Sequence, residues 1–186
     1  MAKSKTELAK EALNALGKDD ELIVADESEN SDESEDDVNN FLNEELLTHT
    51  KLKSSLSGTL VELKKSTAKV ILYTTNEMVV DEFGLIHSGF IFGSAEYTAI
   101  ASINQENVVM IACRSKFFAP AKLGDTIVFE AKGRFEDARK REVKVIGKIN
   151  DIKVFEGIFQ AILLEKHILK TKIDELQSNF NAKDFA

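Results

Sequence analysis

The sequence contains one cysteine, one proline and no tryptophan among 186 residues. A lone cysteine cannot pair within the chain, so disulfide-stapled scaffolds are excluded and we expect a reducing, cytoplasmic location. The first residues lack the basic-then-apolar pattern of a secretory signal, which agrees with that expectation. Apolar runs stay well below the roughly 18 residues that a membrane-spanning helix needs, so we predict no membrane span.

The sequence also lacks the motifs of several enzyme classes. It has no Gly-rich phosphate loop, no paired-cysteine metal motif and no His-x-x-x-His helix. Nucleotide hydrolysis and metal catalysis therefore have no support, and we predict neither a metal ion nor a resident cofactor.

Negative charge is concentrated at the front of the chain. The formal net charge is -8, yet residues 1–48 carry -11 and residues 49–186 carry +3. Between Asp26 and Asp37, eight of twelve residues are acidic, a composition that cannot offset the entropy of ordering, so we predict a disordered linker at 18–37. DNA phosphates would repel such a segment, which is also too short for a helix-turn-helix, and we expect no nucleic-acid partner.

Three segments with helical spacing of apolar residues flank the central part of the chain. We predict a short N-terminal helix in residues 1–17, a connecting helix in 38–55 and a C-terminal amphipathic helix in 167–186. The acidic front and the C-terminal helix are candidate docking surfaces for a protein partner. The apolar positions are Leu8, Ala12, Ala15 and Leu16 in the first segment, Val38, Phe41, Leu42 and Leu46 in the second, and Leu169, Ile173, Leu176 and Phe180 in the third.

Residues 56–166 form the predicted central domain and alternate at the period of a β-strand over most of their length. Ile127, Phe129 and Ala131, for example, point to one side while the charged residues between them point to the other, which is typical of a half-buried antiparallel strand. This pattern predicts five or six strands, at 56–63, 69–75, 108–118, 127–135, 143–149 and 152–164.

Residues 83–104 break the alternation. They combine small residues with phenylalanine and isoleucine over a length too great for one strand, which predicts a helix buried against the sheet. Between Glu82 and Glu106 the only formally charged side chain is Glu96. An isolated carboxylate is rarely buried without a partner, because desolvation is costly, so Glu96 is a candidate for chemistry.

Two motifs stand out at the start of the predicted helix and after it. The helix opens with His87-Ser88-Gly89 and carries Glu96 nine residues after the histidine, which resembles the His-Gly-Gly…Asp/Glu signature of the hotdog-fold acyl-CoA thioesterases. The segment from Phe117 through Pro120 to Gly124-Asp125 is similar to the Phe-x-x-Pro-x-x-x-Gly-Asp loop of the same fold. The resemblance covers residues 56–165. It implies an α+β hotdog fold, in which an antiparallel sheet of five to six strands wraps around a long central helix, and a homodimer.

The resemblance also implies that the protein binds acyl-CoA thioesters in a groove at the dimer interface and hydrolyses them. Glu96 matches the family's general base or nucleophile. The amide of Gly89 matches the donor that polarises the thioester carbonyl, and His87 matches the histidine that helps to position the thioester. Ser88 stands where the family usually has its first glycine, which narrows the groove.

Further candidate ligand contacts follow from the same resemblance and from charge. Coenzyme A enters as part of the ligand, and its phosphates require a basic rim. Apolar residues of the helix suggest a pocket for the acyl tail, whose length the sequence does not specify. The predicted substrate-binding residues are Ser88, Phe90, Phe117, Lys116, Lys122 and Arg139.

Other interpretations stay open at this point. The same fold serves the acyl-CoA-sensing repressor of bacterial fatty-acid synthesis, so a non-catalytic sensor acting through a protein partner is the main alternative, and a dehydratase is a third. At the residue level, Glu96 can face solvent or pair with a lysine, His87 can cap the helix, and Gly89 can serve packing. Cys113 lies in phase with an apolar strand face, which favours core packing over a nucleophilic role.

Overall fold

A computed structural model of the protein describes residues 44–134 and 139–170. The described residues belong to one compact unit within Leu42–Ala186. The predicted N-terminal helix, the acidic linker, residues 38–43 of the predicted connecting helix and residues 171–186 of the predicted C-terminal helix lie outside the described residues.

Six antiparallel strands form one sheet, as the alternating pattern predicted. The strand order is β1-β2-β4-β5-β6-β3, so β1 and β3 are its two edges within the described chain. Leu56, predicted to begin the first strand, lies instead in a helical turn that Gly58 ends at a φ of 84°. The strands are β1 Thr59–Lys64, β2 Thr67–Tyr73, β3 Val108–Phe117, β4 Thr126–Arg134, β5 Lys140–Ile149 and β6 Ile152–Leu163.

The predicted buried helix is present and crosses one face of this sheet. Two α-helices are described, α1 at Ser54–Ser57 and α2 at Ser88–Ile103. Helix α2 begins five residues later than position 83, because Asp81 accepts hydrogen bonds from the backbone N–H groups of Phe83 and Leu85 and holds this stretch in a turn. His87 is the N-cap of α2 and Asn104 is its C-cap.

Small residues let α2 lie close to the sheet. Its alanines at 95, 99 and 101 are fully buried, and the aromatic rings of Phe129, Phe155 and Phe159 fill the space beneath it. Two buried hydroxyl groups of α2 find hydrogen-bond acceptors in the helix itself. The Thr98 hydroxyl donates to the Ser94 carbonyl at 2.6 Å, and the Ser102 hydroxyl donates to the Ala99 carbonyl at 2.8 Å. Helix α2 and the sheet therefore share one core.

The predicted connecting helix is wrong for residues 44–53, which are not helical. Residues 45–49, here named the strap, are bonded to the end of α2 instead. The Asn104 side chain accepts from the Leu47 N–H at 2.8 Å and donates to the Glu45 carbonyl at 2.9 Å. These bonds occupy the Leu47 N–H and the Glu45 carbonyl, which a helix would use in its own backbone hydrogen bonds. At the other end of the described chain, Ile168–Lys170 form a 3₁₀ turn.

Within the described residues, no helix has both the length and the apolar character that crossing a membrane requires.

Candidate functional site

Glu96 lies in the middle of α2, with its side chain half-buried. Burial raises the pKa of its carboxyl group above the ordinary value of 4.5. Among the described residues, none forms a hydrogen bond or ion pair with this carboxylate. The sequence-based expectation of a lone carboxylate in an apolar helix therefore corresponds to a real, partly desolvated group.

A cavity of about 390 Å³ opens beside Glu96, and we name it the Glu96 cavity. Its walls come from four parts of the chain: the strap, the second half of α2, the start of β3 and the turn after β6. Besides Glu96, the lining residues are Thr48, His49, Ile100, Glu106, Asn107, Val108, Val109, Met110, His167 and Ile168.

His87 caps the first turn of α2 with its side chain. Its Nδ1 atom accepts a hydrogen bond from the Gly89 N–H at 2.9 Å, so one of the orphan amides of the helix start is satisfied locally. This is the capping role that the sequence left open for His87. Before the Gly89 amide can polarise a thioester carbonyl, the imidazole must turn away from it.

A second cavity, of about 460 Å³, begins at His87, and we name it the His87 cavity. It brings together His87, Ser88 and Phe117 from the predicted site. Phe117 is 47% exposed, and its ring meets the ring of Phe155 at 5.1 Å. The other lining residues are Val80, Leu85, Ile86, Ile91, Phe118, Ala119, Pro120 and Ala121.

The two halves of the predicted catalytic set thus lie apart in one chain. Glu96 faces one cavity, whereas His87 and Ser88 line the other. Nine residues along a helix correspond to about two and a half turns, which already predicted that the His87 and Glu96 side chains would not meet within a subunit. Phe90, also predicted to contact substrate, packs partly against the core beside His87, with ring centroids 6.2 Å apart.

The predicted basic rim is only partly assembled. Lys116 lies at the end of β3 next to the His87 cavity, and Lys122 follows Ala121 of its lining. Arg139 lies elsewhere. Its backbone carbonyl accepts a hydrogen bond from the Leu163 N–H at the end of β6, whereas Lys116 of β3 is the cross-strand neighbour of Glu156 near the start of β6. That separation along β6 is on the order of 20 Å at the usual rise of a strand.

Sequence reasoning missed a lysine and two histidines. The Lys153 ammonium lies 4.5 Å from the centroid of the Phe118 ring, at the edge of the His87 cavity, and it also pairs with Glu156 at 3.0 Å. His49 and His167 both line the Glu96 cavity, although they lie near opposite ends of the described sequence. They are distant in sequence from α2, so no local spacing reveals them.

Cys113 lies on β3 near Glu96 and takes no part in either cavity lining. Burial raises the pKa of its thiol, the hydrogen bond from Ser115 lowers it, and the negative charge of Glu96 raises it again. Cys113 is only partly buried, and it packs beside the core cluster. A thiol whose pKa is raised is a poor nucleophile, in agreement with the packing role expected from sequence.

Comparisons with known proteins identify the fold family. No family model matches the chain. The solved structure of Cj0977, a sigma28-regulated virulence protein from Campylobacter jejuni, is 48% identical, covers 67% of this chain and 89% of its own, and superposes with a TM-score of 0.66. PH1136 from Pyrococcus horikoshii is 38% identical, with coverages of 68% and 97% and a TM-score of 0.67.

More distant structures share the architecture. A hypothetical thioesterase from Streptococcus pneumoniae, solved with coenzyme A, is 12% identical over 58% of this chain and 86% of its own, with a TM-score of 0.53. The chain belongs to the hotdog-fold superfamily. In this hotdog domain α2 is the central helix and β1 to β6 form the sheet around it, so the fold expected from the two sequence motifs is confirmed.

Two curated relatives match this chain over part of their own length. Methylthioribose-1-phosphate isomerase of Aquifex aeolicus is 36% identical over 64% of this chain, and the match spans 26% of the isomerase. The transcription factor FapR of Caldanaerobacter subterraneus is 26% identical over 69% of this chain, which spans 64% of FapR. The chain therefore covers about a quarter of the first and under two thirds of the second.

Proposed function

We propose that this protein binds acyl-CoA thioesters and hydrolyses them with Glu96 as general base. The observation that carries the proposal is the half-buried carboxylate of Glu96, without a hydrogen-bonding partner among the described residues and facing a cavity from the middle of the central helix. The hotdog neighbours, one of them solved with coenzyme A, support the ligand class.

The raised pKa of Glu96 suits it to remove a proton from water. A general base is most effective when its pKa lies near the working pH, and desolvation moves Glu96 in that direction. The carboxylate activates a water molecule for attack on the thioester carbonyl. As the tetrahedral intermediate collapses, the sulfur leaves and takes up a proton to become the free thiol of coenzyme A.

The oxyanion of that intermediate needs donors from the start of a helix. The first-turn amides of α2, that of Gly89 foremost, are suitable donors once the His87 imidazole moves off the Gly89 N–H. Such a donor is worth about 10²- to 10³-fold in rate in enzymes that use one. Ligand binding is the event we expect to displace the imidazole.

A second copy of the chain completes the groove in this proposal. The Glu96 cavity and the His87 cavity are separate within one chain, and β3 leaves one edge of the sheet unpaired in the described chain. In the proposed dimer two β3 edges pair, and we expect Glu96 of one subunit to lie opposite the first turn of α2 in the other. Lys116, Lys122 and Lys153 then supply positive charge for the phosphates of coenzyme A.

A second candidate function is acyl-CoA binding without hydrolysis, coupled to a protein partner. Two observations favour it: the capped Gly89 amide, which leaves the oxyanion donor occupied, and the similarity to FapR transcription factors. In this alternative the carboxylate of Glu96 contributes to ligand recognition rather than to turnover.

Free-thiol release from acetyl-, octanoyl- and palmitoyl-CoA distinguishes the two functions. Hydrolysis predicts thiol release by the wild type on at least one of these substrates and a loss of about 10²-fold or more in Glu96→Gln. Cys113, the only cysteine, contributes a constant background that is subtracted. Saturable binding in calorimetry with no thiol release would replace the hydrolase by the binding protein, and an enoyl product would indicate a dehydratase.

A further inference from the structure

His49 shares the Glu96 cavity with the carboxylate, although 47 positions separate the two residues in the sequence. It lies at the cavity mouth: the residue lines the cavity, yet it is also exposed to solvent. Its imidazole therefore has access both to the enclosed space beside Glu96 and to bulk water.

The strap fixes His49 in an unusual backbone conformation. His49 has a φ of 53°, in the left-handed region that a residue with a Cβ adopts only when its surroundings require it. The hydroxyl of Thr48, a residue only 5% exposed, bonds the His49 Nδ1 atom at 2.8 Å. The two hydrogen bonds of Asn104 hold the strap itself against the end of α2. The imidazole is thus held in place at the cavity mouth.

Burial moves the proton affinities of the two groups toward each other. It raises the pKa of Glu96 and lowers the pKa of His49. Burial thereby narrows the difference in proton affinity between the two groups, which favours proton exchange between them. Three other titratable groups face this place: Glu106 and His167 also line the cavity, and Cys113 on β3 interacts electrostatically with Glu96.

We propose that His49 is a proton relay for Glu96, carrying to solvent the proton that each turnover leaves in the Glu96 cavity. This inference rests on the proposed thioester hydrolysis. His49 acts through Glu96 and touches no reacting atom, so it is a positioning residue and not a catalytic one. Its role is to return the Glu96 side chain to the ionised carboxylate after each turnover.

The relay follows from the proton balance of the reaction. The water oxygen bonds to the carbonyl carbon while Glu96 takes one water proton. The carbon–sulfur bond then breaks, its electron pair stays on sulfur, and the Glu96 proton converts the thiolate to the thiol. The new carboxylic acid keeps the second water proton and, as it ionises, passes that proton to the Glu96 carboxylate, so one proton per turnover has to leave Glu96 before the next cycle. His49 receives this proton from Glu96 and releases it to water.

Chemical rescue of a His49→Asn variant tests the relay. Asparagine tolerates a positive φ, and its side-chain oxygen can replace Nδ1 as the partner of Thr48, but its amide neither takes up nor releases a proton near neutral pH. We expect a turnover at least about 10-fold lower than that of the wild type in dilute buffer, with recovery as imidazole is added as a diffusible proton carrier. The substrate is whichever of acetyl-, octanoyl- and palmitoyl-CoA the wild type hydrolyses fastest.

The pattern of rescue separates a relay from a structural role. Wild-type turnover should not respond to imidazole, and KM should stay unchanged in the variant because His49 does not contact the substrate. Unchanged turnover in His49→Asn, or a loss that imidazole does not restore, would overturn the proposal.

A second measurement does not depend on hydrolysis. Side-chain NMR titration of the full chain, with His49 signals assigned through the His49→Asn variant, follows one of only three histidines. Glu96→Gln removes a negative charge from the cavity that His49 lines, and if the two groups exchange a proton it should lower the pKa of His49 further. Glu106→Gln, a change in the same cavity, should have a smaller effect. An unaltered His49 titration in Glu96→Gln would overturn the relay even if thiol is released. An altered titration with no thiol release would overturn the hydrolysis, and with it the turnover role of His49, while leaving the electrostatic coupling of the two side chains in place.

Discussion

Glu96 links the stability of the fold to the proposed function. Its folded-state pKa is raised by burial, so the folded protein binds this proton more tightly than the unfolded chain does. The stability that the group contributes is therefore complete below its unfolded pKa and is lost as the pH rises through the folded pKa. At neutral pH an ionised Glu96 destabilises the fold, a cost that many functional sites carry.

Glu96→Gln should accordingly stabilise the protein at high pH and not at low pH. Glutamine keeps the shape of the side chain and stays neutral, so we expect its free energy of unfolding to exceed that of the wild type by about 1 kcal/mol at about pH 8. The difference should vanish near pH 4, where the wild-type carboxyl is protonated. Urea unfolding at both pH values measures it. A variant that is less stable than wild type at the higher pH would show that Glu96 has a stabilising partner.

His87 gives a second prediction at this scale, based on its role as N-cap. His87→Ala removes the acceptor of the Gly89 N–H and should destabilise the protein by about 1 kcal/mol. His87→Asn keeps a good capping acceptor and should retain most of the stability. Thermal unfolding of the two variants compares them directly. Equal losses in both would contradict the capping role, since asparagine is among the preferred N-cap residues.

Sequence reasoning singles out those candidate residues that carry a local signal. Glu96 is the only charge in an apolar helix, and His87 and Gly89 mark the start of that helix. His49 has no such signal, because its relevance depends on the strap crossing the far end of α2. The capping role of His87, which occupies the Gly89 amide, stayed an open alternative in the sequence, since the choice depends on a rotamer of His87.

Among the elements, the sheet beneath α2 depends on glycines that leave room for aromatic rings. A Cβ added at Gly157 would lie 2.7 Å from the Phe159 ring and 3.1 Å from the Phe155 ring, closer than packed atoms tolerate. Gly93 on α2 differs, because a Cβ added there meets nothing within 4 Å in the described chain. The two positions form a matched pair for the same substitution.

We predict opposite effects of alanine at these two positions. Gly157→Ala should destabilise the protein by about 1–3 kcal/mol through overpacking against the rings. Gly93→Ala should stabilise it by up to about 1 kcal/mol, the difference in helix propensity. Urea unfolding provides both values. A loss of stability in Gly93→Ala would mean that another surface packs against α2 at this position.

The elements also show where sequence patterns succeed and fail. Strict alternation identified the strands of a sheet with one buried face, because the side-chain period of a strand is two. The prediction of a connecting helix is wrong over residues 44–53. A helical spacing of apolar residues is a weak signal, and here the buried side chain of Asn104 binds the backbone of the same segment instead. Local periodicity does not include such long-range bonds.

At the scale of the whole molecule, an unpaired sheet edge needs a partner or protection. Strand β3 is an edge strand in the described chain, and Phe117 and Phe118 beside it are 47% and 49% exposed. Exposed edges with apolar side chains are liable to associate. Because a dimer contact is a property of two chains, neither the period of β3 nor the fold of one chain specifies it.

Sedimentation equilibrium tests the expected homodimer. We predict a mass of twice the 20.7 kDa of one chain at about micromolar concentration. This test needs no variant, because the measured mass reports the oligomeric state directly. A single-chain mass throughout the concentration range would remove the second copy from the proposed groove and leave the two cavities separate.

The most direct measurement of the central claim is the rate of thiol release by three proteins under identical conditions. These are the wild type, Glu96→Gln and, as a control outside both cavities, a glutamine variant of the exposed Glu77. The account predicts similar rates for the wild type and Glu77→Gln, and a rate lower by about 10²-fold or more for Glu96→Gln. Thiol release by Glu96→Gln at the wild-type rate would contradict it.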